Sequence, residues 1–425
     1  MMKRHRSGAG KGIQLAGALS HLNVLDLSRV FAGPWAGQML ADFGAEVIKV
    51  EHVRGGDDVR RMGVPHLDAD GVETGLTSSF LSMNRGKRSL AVDLSRPEGQ
   101  KIVTDLAARA DVLIENFKVG NLARFNLDYA SLAKVNPRLV YCSITGFGQT
   151  GPRSHLPGYD PVFQAMTGVM SITGVADGQP GAGPNLVGYS ISDINAGSYA
   201  VIAILAALNH RDVAGGPGQH LDISLYDAQV HAASHVAMNY MSNGKVPIRN
   251  GTASQITCPW QVFEAADKPI MIAVGNDMQF VRLCDLLGCP ELAADPRYAA
   301  NLDRVRHKDD LVPLLAARIR DWQAGQLQQK LEAMGIAAGP ILGFDEVIED
   351  ETFRHRELRR RMQHPRVGEI DVIANPIRFS ETPNVYDRAP PEFGADTDWV
   401  LSERLDLPPE QIAELRKNGI VAGDD

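Results

Sequence analysis

The chain predicts an α/β fold with a mainly parallel sheet, accompanied by a second, smaller α+β domain. Three observations carry this. Short apolar strands alternate with helix-length segments through the first third, a Gly- and Pro-rich stretch follows at residues 146–186, and the texture changes between about residues 242 and 335.

Taken in order, residues 22–29 alternate apolar and polar positions as a strand does, and Ala32-Gly33-Pro34 opens a helix that Gly44 closes. A second strand spans residues 45–51 and a third residues 89–94. Ser95-Arg-Pro-Glu98 reads as a capping box leading into an apolar-periodic helix that runs to Ala110. Next come a strand at 111–115, a short helix near Leu122, a helix ending before Pro137 and a strand at 138–145. Strands separated by helices are βαβ units, hence the parallel sheet. The stretch 146–186 is too long for a simple connector, and such loops over an α/β sheet carry function. Asp193 precedes an apolar helix at 196–208, Gly215-Gly-Pro-Gly218 breaks the chain, and a strand at 220–226 leads into a helix at 227–241. Strands around Phe263 and Ile270 and helices starting near Asp277, Lys308 and Gln326 make the smaller domain. A strand at 368–373 and an amphipathic helix at 408–417 return to the first. The expected organisation is a flexible leader at 1–20, the first part of the large domain at 21–225, a linker helix and small domain at 226–335, and a return segment at 336–425.

The 425 residues are 44% hydrophobic and 22% charged, which excludes disordered, collagenous and coiled-coil classes. With 43 Lys+Arg against 51 Asp+Glu the net charge is −8, so no basic excess points to nucleic acid. No uninterrupted apolar run reaches the length of about 18 residues that a membrane helix needs, and the nearest, 200–208, is about half that. The basic, Gly-rich start lacks the apolar core of a secretory signal. Four cysteines (Cys142, Cys258, Cys284, Cys289) form no CxxC pair and no disulfide framework. The expectation is a cytoplasmic protein with no membrane and no nucleic-acid partner.

Several motifs invite chemistry. Gly146-Phe-Gly-Gln-Thr-Gly151 matches a dinucleotide fingerprint literally, but Pro152 and Pro157 bracket a loop where a helix should begin, which argues against NAD. His231 and His235 have the i, i+4 spacing of metal ligands yet lack a neighbouring third ligand, so no metal is expected. Asn84-Arg-Gly-Lys-Arg88 gathers three cations, with Arg54, Arg60 and Arg61 nearby, and reads equally as a solvated loop or a phosphate site. Asp193 occupies a helix N-cap position. A carboxylate there sees the positive end of the helix dipole and, if exposed to substrate, serves as a nucleophile.

Val24-Leu-Asp-Leu-Ser-Arg-Val-Phe-Ala-Gly-Pro34, Asp42-Phe-Gly-Ala-Glu-Val-Ile-Lys-Val-Glu51, Asn84-Arg-Gly-Lys-Arg-Ser89, Glu115-Asn-Phe117, Gly158-Tyr-Asp160 and Ser192-Asp-Ile-Asn-Ala-Gly197 follow one another at characteristic spacing. Through them the chain resembles the class III CoA-transferases, the formyl-CoA transferase and carnitine CoA-transferase family, from about Leu22 onward. The resemblance implies a Rossmann-like large domain built from both chain ends and an interlocked homodimer, with coenzyme A arriving as the acyl-CoA substrate. It aligns Asp193 with the catalytic aspartate, Ser192 replacing the family's glycine. It implies CoA contacts from Arg29, Val30, Phe31 and Ala32, from His52 and Arg54 after Glu51, and from Asn116 and Arg124, and it places Tyr159 beside the active site. Arg85, Lys87 and Arg88 join the CoA-binding set on charge alone.

The same fold resembles the α-methylacyl-CoA racemases, in which a histidine stands where this chain has Tyr159. Tyrosine, with an ordinary pKa near 10, is a poor base at neutral pH, which favours transfer over racemisation. A non-catalytic acyl-CoA-binding protein, with Asp193 only capping its helix, is the other alternative. Residues 141–152, 171–174 and 234–240 look most like the succinyl-CoA:glutarate (dicarboxylate) branch, and Gly251-Thr-Ala-Ser-Gln255 stands where formyl-CoA transferase has a glycine-rich loop. Near the end, Gly394-Ala-Asp-Thr-Asp398 replaces the family's Gly-Glu-His-Thr/Asn-Asp. The resemblance thus implies CoA transfer from an acyl-CoA, succinyl-CoA or similar, to a small dicarboxylic acid through an aspartyl anhydride and an aspartyl-CoA thioester.

Overall fold

The structure, a computed structural model, describes residues 17–423 apart from residue 69. Its central sheet contains β1 (Asn23–Asp26), β2 (Glu46–His52), β3 (Lys87–Val92), β4 (Val112–Glu115), β5 (Val140–Thr145), β6 (His220–Ser224) and β7 (Val421–Ala422). Their spatial order is β6-β5-β4-β1-β2-β3-β7. Every pairing is parallel except that of β7 with β3. The fold is therefore α/β with a mainly parallel sheet, as the alternation of elements predicts.

Both faces of the sheet are covered, which is why its strands read as near-continuous apolar runs. Val24, Val47, Val112, Ile114, Val140, Cys142 and Ile144 pack on one side against α1 (Ala32–Asp42) and the long helix Ile191–Val213. Leu25, Ile48, Leu90, Leu113 and Tyr141 pack on the other against Ile102 and Leu106, Leu132 and the return segment's Leu401 and Ile412. Neighbouring residues of one strand thus go to opposite cores, the period-2 signature of a strand.

From β1 the strand order grows outward in both directions, through β2 on one side and β4 on the other. The loops leaving β1 and β4 therefore part company and open a crevice at the carboxyl ends of the strands, the position where open α/β sheets bind ligands. Leu27 N–H still donates to Ile114 O at 2.8 Å, and divergence begins just beyond.

The helix Ile191–Val213 is 23 residues long and, by length and composition alone, apolar enough to cross a membrane, with a mean hydropathy of 1.6. An uninterrupted-run criterion misses it because Asp193, Asn195 and Ser198 punctuate it. Its buried residues Ala196, Ala200 and Ile204 join the sheet's core. Gly197 lets it approach α1 closely: a Cβ there would lie 2.4 Å from Ala32 O.

Contacts divide the described residues into two compact units, one drawn from residues 17–167, 188–237 and 355–423 and one of 168–187 and 238–354. The second has its own antiparallel sheet, ordered Trp260–Glu264, Pro269–Ala273, Ala337–Pro340. Phe263, Ile270, Phe280, Leu311, Leu315 and Leu327 form its core, in which Arg304 is fully buried. Arg304 is held there by the carbonyls of Cys258 and Tyr298 and by Asp277.

Five local expectations need correction. Of the leader, residues 1–16 lie outside the described residues, whereas 17–20 form a turn whose Leu19 N–H donates to Phe43 O at 2.8 Å. No side chain caps the helix Pro97–Ala107, whose N-cap is Arg96; Ser95 instead hydrogen-bonds Asp93. The stretch 146–186 contains two short helices, Asp160–Met166 and Val169–Ile172. Residues 227–241 are two helices, Leu225–Ala232 and Ser234–Asn243, so His231 and His235 do not share one continuous helix face. Asp193 is not an N-cap either: Ser190 is, and Asp193 sits in the first turn with no capping hydrogen bond.

Candidate active site

A cleft of about 240 Å³ opens at the crevice. It is lined by Arg29, Val30, Phe31 and Ala32 after β1, by Asn116 to Val119 after β4, by residues 144–146, Ser154 and residues 156–159, and by Asp193. Seven of the sequence-predicted residues (Arg29, Val30, Phe31, Ala32, Asn116, Tyr159 and Asp193) thus meet in one place.

The two loops are tied together. Asn116 accepts from Arg29 N–H at 2.9 Å and donates through Nδ2 to Arg29 O at 2.7 Å, while the Arg29 guanidinium lies 5.1 Å from the Phe117 ring centroid. Asp58 is 3.8 Å from that guanidinium, and both groups are largely exposed, so the pair is weak. Val30 takes a left-handed φ of 69°, which a β-branched residue adopts only under constraint, at a cost of about 1–3 kcal/mol. The constraint is Asp57, which accepts Val30 N–H at 3.1 Å and is itself fully buried against Lys49 Nζ at 2.8 Å.

Asp57 belongs to a buried charge network beneath the loop. Lys49 also donates to Ser28 O at 2.9 Å, and Glu51 accepts Asp57 N–H at 2.9 Å and both Nε and Nη2 of Arg60. Lys87 bonds Asp26 at 2.9 Å, Pro34 O at 2.9 Å and Asn84 at 3.0 Å. Burial pushes the Glu51 carboxyl up, but Arg60 and Lys49 outweigh it and hold the group at about 2. Burial likewise pulls the Lys87 ammonium down to about 8, against the attraction of Asp26.

This network corrects the charge-based reading of Asn84 to Arg88. Lys87 is fully buried, and Arg85 makes two hydrogen bonds to Asp42 with almost no exposure. Arg88 pairs with Asp396 at 2.8 Å and lies over the Trp399 ring. All three cations thus pair with carboxylates of the fold itself. The unusual Asp396 is locally accounted for, since it also accepts Ser89 N–H at 3.0 Å. A second cleft of about 280 Å³ contains His52, Arg124 and Arg29, with Phe117, Asn121, Asp93 and Ser95. Arg54 is exposed, and its charge acts on Asp93 at this cleft.

Asp193 has no hydrogen-bond or ion-pair partner among the described residues. Burial, and secondarily the neighbouring Asp160 carboxylate, push its carboxyl up to about 7 despite the helix dipole. Asp160 is held by Ser192 N–H at 2.6 Å and Gln164 Nε2 at 2.7 Å. Tyr159 occupies the N-cap position of the Asp160–Met166 helix without a capping side-chain bond and is 70% exposed at the cleft rim. Gly146 and Gly158 allow the two walls of the cleft to touch: a Cβ on Gly158 would sit 2.4 Å from the Phe163 ring and 2.9 Å from Gly146 Cα. Sequence reasoning singled out Tyr159 from Gly158-Tyr-Asp160 and passed over Asp160, although two carboxylates near one site are a recognisable signal for a shifted pKa. It also missed Lys118, which lines the cleft.

The arrangement makes one prediction at once. If the Asp193 carboxylate is the reactive form, kcat/KM rises with pH through about 7. Replacing Asp160 with asparagine removes a negative neighbour, so the acid limb of the pH profile moves down by roughly half to one pH unit. A limb left in place by Asp160→Asn contradicts this electrostatic account.

The family model for "CoA-transferase family III" matches residues 19–397. A succinate–glutarate CoA-transferase of Agrobacterium fabrum is 44% identical over 385 residues, covering 91% of this chain and 95% of that protein. A human succinyl-CoA:glutarate CoA-transferase is 37% identical over 423 residues, covering 97% of this chain and 94% of that one. The crystal structure of a CAIB/BAIF family protein from Brucella suis superposes with a TM-score of 0.82 at 41% identity, covering 91% of this chain and 99% of that chain. An unpartnered, partly buried carboxylate in a doubly covered parallel sheet's crevice is thus accompanied by a match along most of the sequence, and the chain belongs to CoA-transferase family III as an enzyme of CoA transfer.

Proposed function

We propose that this protein moves CoA from succinyl-CoA, or a similar acyl-CoA, to a small dicarboxylic acid, with Asp193 as the covalent carrier. The observation that carries the reading is an unpartnered carboxylate facing a cleft between the β1 and β4 loops. The names of the relatives support the choice of acids.

In the proposed sequence an Asp193 carboxylate oxygen attacks the donor's thioester carbonyl, and the C–S bond breaks to release CoA thiolate and leave a mixed anhydride. The thiolate attacks the aspartyl carbonyl, expelling the donor carboxylate and forming an aspartyl-CoA thioester. An acceptor carboxylate then attacks that thioester and again releases thiolate. Attack of the thiolate on the acceptor-side carbonyl yields the new acyl-CoA and restores Asp193. No net proton or electron is consumed. Hydrolysis would drain either intermediate, so the walls joined at Gly146 and Gly158 keep water from the reacting atoms. CoA would lie along Arg29 to Ala32 and Asn116, with its phosphates toward His52, Arg54 and Arg124. Arg29 would also pair with an acceptor's distal carboxylate. Exposed apolar side chains such as Leu67, Val72 and Phe344 suit burial against a second copy, in keeping with an interlocked homodimer, and the reduced buried cysteines suit the cytoplasm.

The test is to incubate the protein with succinyl-CoA and analyse the peptide that contains Asp193. A CoA-sized mass adduct on Asp193, discharged by an added dicarboxylate, is the expected result. Absence of the adduct, together with exchange activity that survives Asp193→Ala, overturns the proposal.

A further inference from the structure

We infer that Glu115, Ser143 and His220 form a hydrogen-bonded chain that positions the Asn116–Phe117 turn, and through it governs how tightly the cleft holds the CoA thioester. The inference rests on the proposed function for its ligand but on separate residues for its geometry.

Glu115 ends β4, Ser143 lies opposite it on β5, and β6 brings His220 alongside, because His220 pairs with Tyr141 on the same face as Ser143. Glu115 hydrogen-bonds Ser143, whose Oγ is 2.9 Å from His220 Nε2, while Tyr129 stacks on the His220 ring at 5.2 Å. Glu115 is 5% exposed and Ser143 1%, whereas His220 is exposed, so the chain runs from the core to a separate cleft of about 290 Å³. At its inner end a Glu115 oxygen accepts Phe117 N–H at 2.8 Å. That bond shapes the turn whose next contacts are Asn116 with the Arg29 backbone and Phe117 beneath the Arg29 guanidinium.

A carboxylate accepts the Phe117 N–H more strongly than a carboxylic acid does. Protonating Glu115 also reverses the chain: the acid donates to Ser143, and Ser143 donates to neutral His220. Burial pushes the Glu115 carboxyl up to about 7, opposed by the Ser143 and Phe117 bonds, and burial lowers His220 against the pull of Asp222. The remaining titratable or charged groups around the chain are Lys118, Asp128, Tyr129 and Tyr141, which line the same cleft, and Cys142 on β5. Among these, Glu115 and His220 are the two titratable groups joined directly to Ser143.

The test separates this role from the nucleophile's. In an Asp193→Asn background, where the nucleophile no longer titrates, CoA binding is expected to be about 5- to 10-fold tighter at pH 8 than at pH 6, the worth of roughly one hydrogen bond. Glu115→Gln removes most of that difference, and in the native background it raises KM for acyl-CoA by a similar factor with kcat within about twofold. His220→Gln, at the exposed end where folding is not at stake, shifts the midpoint of the pH dependence. Amide hydrogen exchange over residues 116–119 is expected to quicken about 5- to 10-fold in Glu115→Gln with the sheet unchanged. An unaltered pH dependence of CoA binding in both variants, or kcat falling in step with KM, overturns the inference. Unchanged exchange at 116–119 overturns it even if CoA does not bind and the proposed function itself has failed.

Discussion

Asp193→Asn is expected to reduce CoA transfer by at least about 10⁴-fold, the scale of losing a covalent nucleophile, while leaving CoA binding measurable. The same substitution carries a stability signature of defined sign. The folded carboxyl sits near 7, above its ordinary value of 3.8, so between those values the native state holds more protons than the unfolded chain. Stability therefore falls as pH rises from about 4 to 7, and above pH 7 the whole penalty, up to about 4 kcal/mol, is present. A neutral asparagine escapes it. The variant should unfold a few degrees above the native protein at pH 8 and close to it at pH 4 in thermal scans. Retained turnover, or a variant less stable than the native protein at pH 8, would show that Asp193 is structural.

Lys87→Met should be the most damaging single change to the fold, at about 3–5 kcal/mol, because it strands Asp26 in the core. Burial raises the Asp26 carboxyl, and Lys87 and Lys49 with the Ser28 bond now bring it net below its ordinary range. Without Lys87, burial wins and the carboxyl moves up. The variant's deficit against the native protein then grows as pH rises from 4 to 8, which denaturant titrations at the two pH values would resolve. Pairing the change with Asp26→Asn removes the stranded charge and should recover about half the loss or more. A single variant with unchanged stability at pH 8 would mean that the network beneath the β1 loop is dispensable.

These two residues mark what the sequence makes legible. The strands were readable because both sheet faces are covered, and Asp193 because it opens a long apolar helix after a Gly-rich loop. Lys87 was misread for a physical reason: in sequence, a cation buried beside Asp26 and one exposed to a phosphate are the same letter. Their separation depends on the register that sets β3 two strands from β1. Asp57 was hidden likewise, since nothing in Gly55-Gly-Asp-Asp58 says that one aspartate turns inward to Lys49 and Val30 while its neighbour faces solvent. Asp160 lay within a recognised motif, and its action on Asp193 emerges only when two helix starts are brought together.

The Arg29–Asn116 bonds join residues 87 positions apart in sequence. A contact of that span forms only after a large loop has been closed, and closure is an entropic expense that short-range structure does not share. The individual βαβ segments can condense early, yet the cleft that Asp193 faces has no existence until distant strands have docked side by side. Nascent or partly collapsed chains would therefore hold Asp193 without the cleft walls around it, and the cleft arrives together with completion of the sheet.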